Sequence, residues 1–171
     1  MRLWFSVLVL WLAALPAFAG ELRGRVVGIA DGDTLTLLVD GHDQHRVRLA
    51  EIDAPEKGQP YGQRSRQVLS GLVFGKAIRV VTSGTDRYGR HIGRAFAPRE
   101  PDELDVCAEM VRQGAAWVFD RYSTDPSLYE LQDQARTNRR GLWSLPAADQ
   151  VAPWDWRKSK AAAHSTADLE Q

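Results

Sequence analysis

From Leu22 to about Val39 apolar and β-branched positions dominate two short runs, Arg25–Ala30 and Thr34–Val39. Between them stands Asp31-Gly32-Asp33, whose residue types favour a tight turn. A second turn at Asp40-Gly41 leads into Arg46–Ile52, so the pattern predicts a three-stranded meander. Asp53-Ala54-Pro55-Glu56 opens a loop through Pro60. Tyr61, Ser65, Val68, Leu69, Leu72 and Val73 then recur at helical spacing up to Gly75. Ala77–Thr82 and Ile92–Ala97 read as two more strands, joined by a polar loop from Ser83 to His91. Two further helices are expected, one from about Leu104 to Gln113 and one from near Pro126 to Gly141, with Leu128, Leu131 and Ala135 on one face. Five strands suffice for a small closed barrel, and three helices would cover its ends.

The two ends of the chain read differently. Met1-Arg2, an apolar run from Leu3 to Leu15, Pro16 and then Ala17-Phe18-Ala19 have the layout of a secretory signal peptide cut after Ala19. The apolar run is short of the ~20 residues that a membrane span needs. The expected mature chain is therefore exported, free of the membrane and periplasmic or secreted. Residues 20–146 form the expected domain. Residues 147–171 form an extension in which Trp154 and Trp156 dock on the body and Ser159–Gln171 is an Ala-rich, polar, flexible tail.

Composition adds little until charge is considered. With 44% apolar and 26% charged residues the chain is an ordinary globular one. It carries 22 Lys+Arg against 22 Asp+Glu, so general electrostatic attraction to nucleic acid is not available. Lys57, Lys76, Lys158 and Lys160 are the lysines, so the positive charge is mostly arginine, the side chain whose planar fork grips phosphate at two points. Binding of a polyphosphate would have to be local. Cys107 stands alone, which rules out an internal disulfide, and reads as a buried, inert thiol. His42, His45, His91 and His164 show no zinc spacing and receive no role.

Three turn-like loops bring acids and arginines to strand ends. Asp33 and Asp53 are hard oxygen donors suited to a divalent cation such as calcium. Glu56 is a further carboxylate able to act as a base or to lie just outside the metal. Arg48 precedes Asp53 by five residues, and Arg90 closes the later loop. Two carboxylates, a base and two guanidiniums are what phosphodiester hydrolysis requires: charge on the phosphoryl oxygen, an aligned water and donors to the growing charge.

Gly32-Asp33-Thr34, Arg48-Leu49-Ala50-Glu51-Ile52-Asp53-Ala54-Pro55-Glu56 and Asp86-Arg87-Tyr88-Gly89-Arg90 resemble, in order and separation, the signature blocks of the staphylococcal nuclease family. Val111–Ala116 and Arg140-Gly141-Leu142-Trp143 resemble its later structural blocks. The resemblance covers about Leu22 to Leu145. It implies a five-stranded OB-fold barrel capped by three helices, and a nuclease that uses one calcium ion on DNA, RNA or both and leaves 3′-phosphate ends. It also implies metal ligands at Asp33, Asp53 and the Ala54 carbonyl, a general base at Glu56 and a phosphate-gripping pair at Arg48 and Arg90. Arg87 and Tyr88 match residues that contact a flanking phosphate and sugar. Tyr122 matches the second of two base-stacking tyrosines. Asp31 and Thr34 fall close to the metal rather than on it.

The first stacking tyrosine is replaced by Asp120, which cannot stack and repels phosphate. Trp117 and Phe119 are expected to pack in the core. A nucleic-acid-binding barrel without catalysis is the main alternative, but such a module would be expected to have lost acids or arginines that are all in place here. A secreted structural domain explains the leader but not the cluster. No patch in the sequence suggests more than a monomer, and no stable protein partner is expected.

Overall fold

Strand β1 (Gly20–Ile29) is antiparallel to β2 (Thr34–Val39), which is antiparallel to β3 (Asp43–Leu49). A bulge between Val26 and Gly28 resets the alternation of β1, so that Val26 and Ile29, three apart, both face the core. Strand β5 (Ala77–Thr85) runs antiparallel along the other side of β1 and pairs with β6 (His91–Pro98). Parallel pairing of Val47, Arg48 and Leu49 on β3 with His91, Ile92 and Gly93 on β6 closes the five strands into a barrel. The barrel carries helices on its outside, as expected of an OB-type fold. The computed structural model describes residues 20–167; the expected leader, residues 1–19, and residues 168–171 lie outside it. No helix among the described residues is long and apolar enough to cross a membrane.

The barrel interior follows from strand alternation. Leu35, Leu37, Val47, Leu49, Ile78 and Val80 point inward and are buried. The inward residues of β6 are small, Gly93, Ala95 and Ala97. A Cβ on Gly93 would lie 2.6 Å from a Val80 methyl, so this strand can sit in the barrel only with glycine there. Helix α1 (Gly62–Val73) buries Ser65, Leu69 and Val73 at helical spacing, and α2 (Val106–Arg112) buries Cys107, Met110 and Val111. Asp105 and Asp125 accept hydrogen bonds from the first turns of α2 and of α3 (Pro126–Thr137). Arg94 donates to both aspartates, tying the two helix starts to β6.

Several boundaries differ from the sequence expectation. Strand β3 begins three residues earlier and ends at Leu49, because Glu51 adopts φ 64° and turns the chain. Ile52–Asp53 becomes a separate short strand, β4, paired with β8 (Trp117–Val118). The polar loop shrinks, since β5 runs on to Thr85. Strand β7 (Glu103–Asp105) occupies residues assigned to the second helix, and α3 ends at Thr137 rather than near Gly141. The largest correction lies at the C-terminus. Pro153–Ala167 forms a fourth helix, α4, where a Trp segment and a flexible tail from Ser159 were expected. Pro153 sits at the first helical position and Ala161–Ala163 have the highest helix propensity, so the segment is helical without an apolar stripe along its length.

Cys107 is fully buried in α2, and burial, with Asp105 adding to it, pushes its thiol up to about 12. A raised value keeps the thiol protonated at pH 8. The native protein is therefore expected to leave Ellman's reagent unreacted at pH 8, with one thiol per chain released by denaturant. Rapid labelling of the folded protein would contradict this burial.

Candidate active site

The β1–β2 turn carries the first acids. Asp31 Oδ1 accepts from the Asp33 amide at 3.0 Å, closing the turn and aiming the Asp33 side chain inward. Gly32 is pressed against α1 and the loop that leads into it: a Cβ there would lie 2.7 Å from that of Ala54 and collide with the Ser65 hydroxyl. That close approach lets the Ala54 amide donate to Asp33 Oδ2 at 2.7 Å. Asp33 is thus joined to the β4 segment, whose Asp53 is 2% exposed.

Arg48 holds the two aspartates in one place. It lies opposite Thr34 on the neighbouring strand. Its Nη2 donates to Asp53 Oδ1 at 2.9 Å, and its Nε lies 3.3 Å from Asp33 Oδ1. Nη1 donates to the carbonyls of Leu49 at 2.7 Å and Ile52 at 2.8 Å, on either side of the Glu51 bend. One guanidinium therefore fixes both acids and the backbone turn that presents the second. Burial pushes the Asp33 carboxyl up to about 7; the Arg48 charge opposes the rise, and Asp31 and Asp53 reinforce it.

Arg90 reaches the cluster from the opposite side. The β3–β6 pairing sets Ile92 beside Arg48, so Arg90 ends the loop next to it. Asp86 Oδ1 accepts from the amides of Tyr88 and Arg90, and its Oδ2 accepts from Arg90 Nε at 2.8 Å. Arg90 Nη1 donates to Thr34 Oγ1 at 3.2 Å, and that hydroxyl donates to Asp33 Oδ1 at 3.2 Å. Thr34 is the bridge between the arginine of one loop and the acid of another. Tyr88 joins this network through its amide, while its ring is 65% exposed, with the guanidiniums of Arg87 and Arg90 over it at 4.9 and 5.6 Å.

Glu56 enters from the loop after β4. That loop is closed by the Glu56 amide donating to Gln59 Oε1 and the Gln59 amide donating to the Glu56 carbonyl. A Cβ on Gly62 would collide with that carbonyl, so glycine is required where the loop meets α1. The Glu56 carboxylate accepts from Arg157 Nη1 at 2.7 Å. Arg157 belongs to α4, and the sequence reading missed it. Its Nη2 also donates to Asp53 Oδ2 at 2.7 Å, and Nη1 lies 3.3 Å from Asp53 Oδ1. The Arg157 guanidinium is thus a counter-charge shared by Asp53 and Glu56. The one sequence signal was Trp154 and Arg157 three residues apart, one face of a helix, in a segment expected to dock through its tryptophans alone.

Asp33, Thr34, Arg48, Asp53, Ala54, Glu56 and Arg90 are therefore brought together, with Asp31 at the turn behind them. Tyr122 lies apart, 63% exposed and edge-on to Phe119 at 4.9 Å. Phe119 is not a core residue as expected; it stacks on Trp154 at 5.4 Å with the rings 3° from parallel. Trp117 is half-buried between Trp143 and Trp154. Burial first, and then the charge of the exposed Asp120, hold the Tyr129 hydroxyl above its ordinary pKa. His45 and His91 meet across β3 and β6, ring nitrogens 3.1 Å apart, away from the acids.

A family model described as staphylococcal nuclease homologue matches residues 46–145, more than half of the chain. An uncharacterized endonuclease of Escherichia coli O157:H7 is 46% identical over 153 residues, covering 90% of this chain and 96% of the relative. A protein named ParB from Escherichia coli is 47% identical over 160 residues, covering 90% and 88%. A micrococcal nuclease of Shigella flexneri is 42% identical over 158 residues, 88% of each chain. With five strands closed into a barrel and the acid–arginine cluster at their ends, the chain belongs to the staphylococcal nuclease family.

Proposed function

We propose that this nuclease is a calcium-dependent endonuclease that hydrolyses phosphodiester bonds in DNA, RNA or both. The observation that carries the reading is the pair of buried carboxylates, Asp33 and Asp53, held by one guanidinium beside Glu56 and Arg90. Burial is the main cause of the raised Asp33 carboxyl, and to it is added the repulsion of the neighbouring Asp31 and Asp53 charges. A hard dication relieves it, and the donors are all oxygen, which suits calcium. Among the described residues no group of three or more His, Cys, Asp or Glu is arranged to hold a metal ion. The ion would take Asp33, Asp53, the Ala54 carbonyl and water, a sparse set that binds weakly and reversibly.

When bound, calcium supplies positive charge that polarises a phosphoryl oxygen. Glu56 takes the proton of the attacking water as its oxygen bonds to phosphorus. Arg48 and Arg90 donate to the oxygens on which charge gathers. The bond to the 5′ oxygen breaks, that oxygen takes a proton from solvent water, and the products carry a 3′-phosphate and a 5′-hydroxyl. Thr34 and Asp31 keep Asp33 and Arg90 oriented, while Arg87, Tyr88 and Tyr122 would contact the strand beyond the scissile bond. The test is cleavage of a circular plasmid and of a labelled RNA, with calcium and in excess chelator. Cleavage is expected to stop in chelator while circular dichroism stays unchanged. Full activity after extensive dialysis into chelator would overturn the calcium assignment.

We further propose export as a monomer, with the mature chain beginning at Gly20. The Ala17-Phe18-Ala19 pattern supports this. Gly20 opens β1, its carbonyl accepting from the Thr82 hydroxyl at 2.9 Å, so a cut after Ala19 would leave the barrel whole. Intact-mass measurement on protein from the cell envelope or medium is expected to give the Gly20–Gln171 chain. A mass retaining residues 1–19 would refute it.

A further inference from the structure

Arg157 contacts both groups that catalysis needs unencumbered. Its guanidinium engages the two oxygens of Asp53 and one oxygen of Glu56, all within 3.3 Å. Asp53 is the acid whose charge faces least water, and an incoming cation must reach the same oxygens.

The contact is built rather than incidental, because three separate attachments set the start of α4. Trp154 stacks on Phe119 and meets Trp117 edge-on, one helical turn before Arg157. Ala152 and Pro153 are buried. The Gln59 side chain donates to the Val151 carbonyl at 2.6 Å, tying the chain leading into α4 to the loop that carries Glu56. Burial alone would lower the proton affinity of Arg157; its bonds to Asp53 and Glu56 raise it instead.

We propose that Arg157 is a resident counter-cation that competes with the metal for Asp53 and Glu56, so that α4 sets the calcium concentration at which the site loads. The inference rests on the calcium reading above. A protein whose binding-competent state is a minority shows an apparent dissociation constant raised by the inverse of that fraction. Removing the competitor therefore tightens metal binding without adding a ligand. The competing closed state also stabilises the metal-free fold, since it neutralises a buried acid.

The test is calorimetric titration of the full chain with calcium, without nucleic acid, for the wild type and four variants. Arg157→Gln is expected to bind calcium roughly five- to fiftyfold more tightly and to melt at lower temperature when metal-free. Trp154→Ala changes no charge but unseats the turn that aims Arg157, and should tighten binding in the same direction. Arg157→Lys keeps the charge but loses the fork and should lie between Arg157→Gln and the wild type. Lys158→Gln removes the same charge from the neighbouring residue, which pairs with Asp155 instead, and should stay within about twofold of the wild type. Equal affinity of Arg157→Gln and the wild type overturns the inference and leaves the calcium reading intact. So does an equal gain in Lys158→Gln, which would assign the effect to net charge. Calcium binding to none of the proteins overturns the calcium reading itself.

Discussion

Arg48→Lys is expected to reduce single-turnover cleavage by about 10²–10³-fold, the usual cost of losing a preorganised donor to transition-state charge. It is also expected to lower the thermal midpoint of the metal-free protein. The two losses come from one geometry. The Arg48 fork spans Asp33, Asp53 and the carbonyls of Leu49 and Ile52, with all four contacts between 2.7 and 3.3 Å. A lysine ammonium carries the same charge at a single point and cannot span them. At least one buried acceptor is left without its donor, a loss of about 1–3 kcal/mol. In a domain of this size each kcal/mol corresponds to roughly 2–4 °C.

Arg90→Lys provides the contrast. Arg90 is anchored on the rim by Asp86 and Thr34 and closes no backbone bend. Its replacement should impair cleavage while leaving the midpoint within about 1 °C, since lysine keeps the charge opposite Asp86 and an ion pair at the protein's rim adds little to stability. Melting curves beside rapid-quench cleavage of the two variants separate the roles. A stable Arg48→Lys protein with near-wild-type turnover would show that Arg48 neither holds the acids nor serves the reaction.

The placement of these side chains was legible in the sequence where chemistry and turn geometry coincide. Asp31-Gly32-Asp33 had to be a turn, and a turn between barrel strands puts its acids at the barrel's end. The Arg48 to Glu56 run put an arginine, an acid and a base within nine residues. What could not be read was how that run bends. Glu51 takes a positive φ although nothing about a glutamate announces it, and the bend moves Ile52–Asp53 out of the barrel and against Trp117–Val118. Two-residue strands are too short for alternation to mark them.

Helix α4 was obscured for a different reason. Alternation and helical periodicity report a buried face, and α4 is attached through its first turn while Lys158–Ala163 are exposed. Its contribution to the site is one polar side chain whose partners lie 104 and 101 residues earlier in the chain. Such a contact leaves no local pattern. It follows from the position of Trp154 on Phe119, which follows in turn from the placement of β8.

Glu56→Gln is expected to lower cleavage by about 10²–10⁴-fold, the range for loss of a general base, while affinity for uncleaved strands changes within about threefold. Glutamine preserves the size of the side chain and an oxygen acceptor. Both backbone bonds that close the Glu56–Gln59 loop use main-chain atoms of residue 56, so the loop should keep its shape. What is lost is the capacity to take a proton from water. Arg157 would still hold Asp53 through Nη2, so the metal-free site should remain closed. If the only function of Glu56 were to bind Arg157, the same substitution would leave turnover nearly intact. Rapid-quench cleavage at saturating calcium, measured with strand affinity at one salt concentration, separates the two. A rate within tenfold of the wild type would remove Glu56 from the chemistry and leave it as a partner of Arg157.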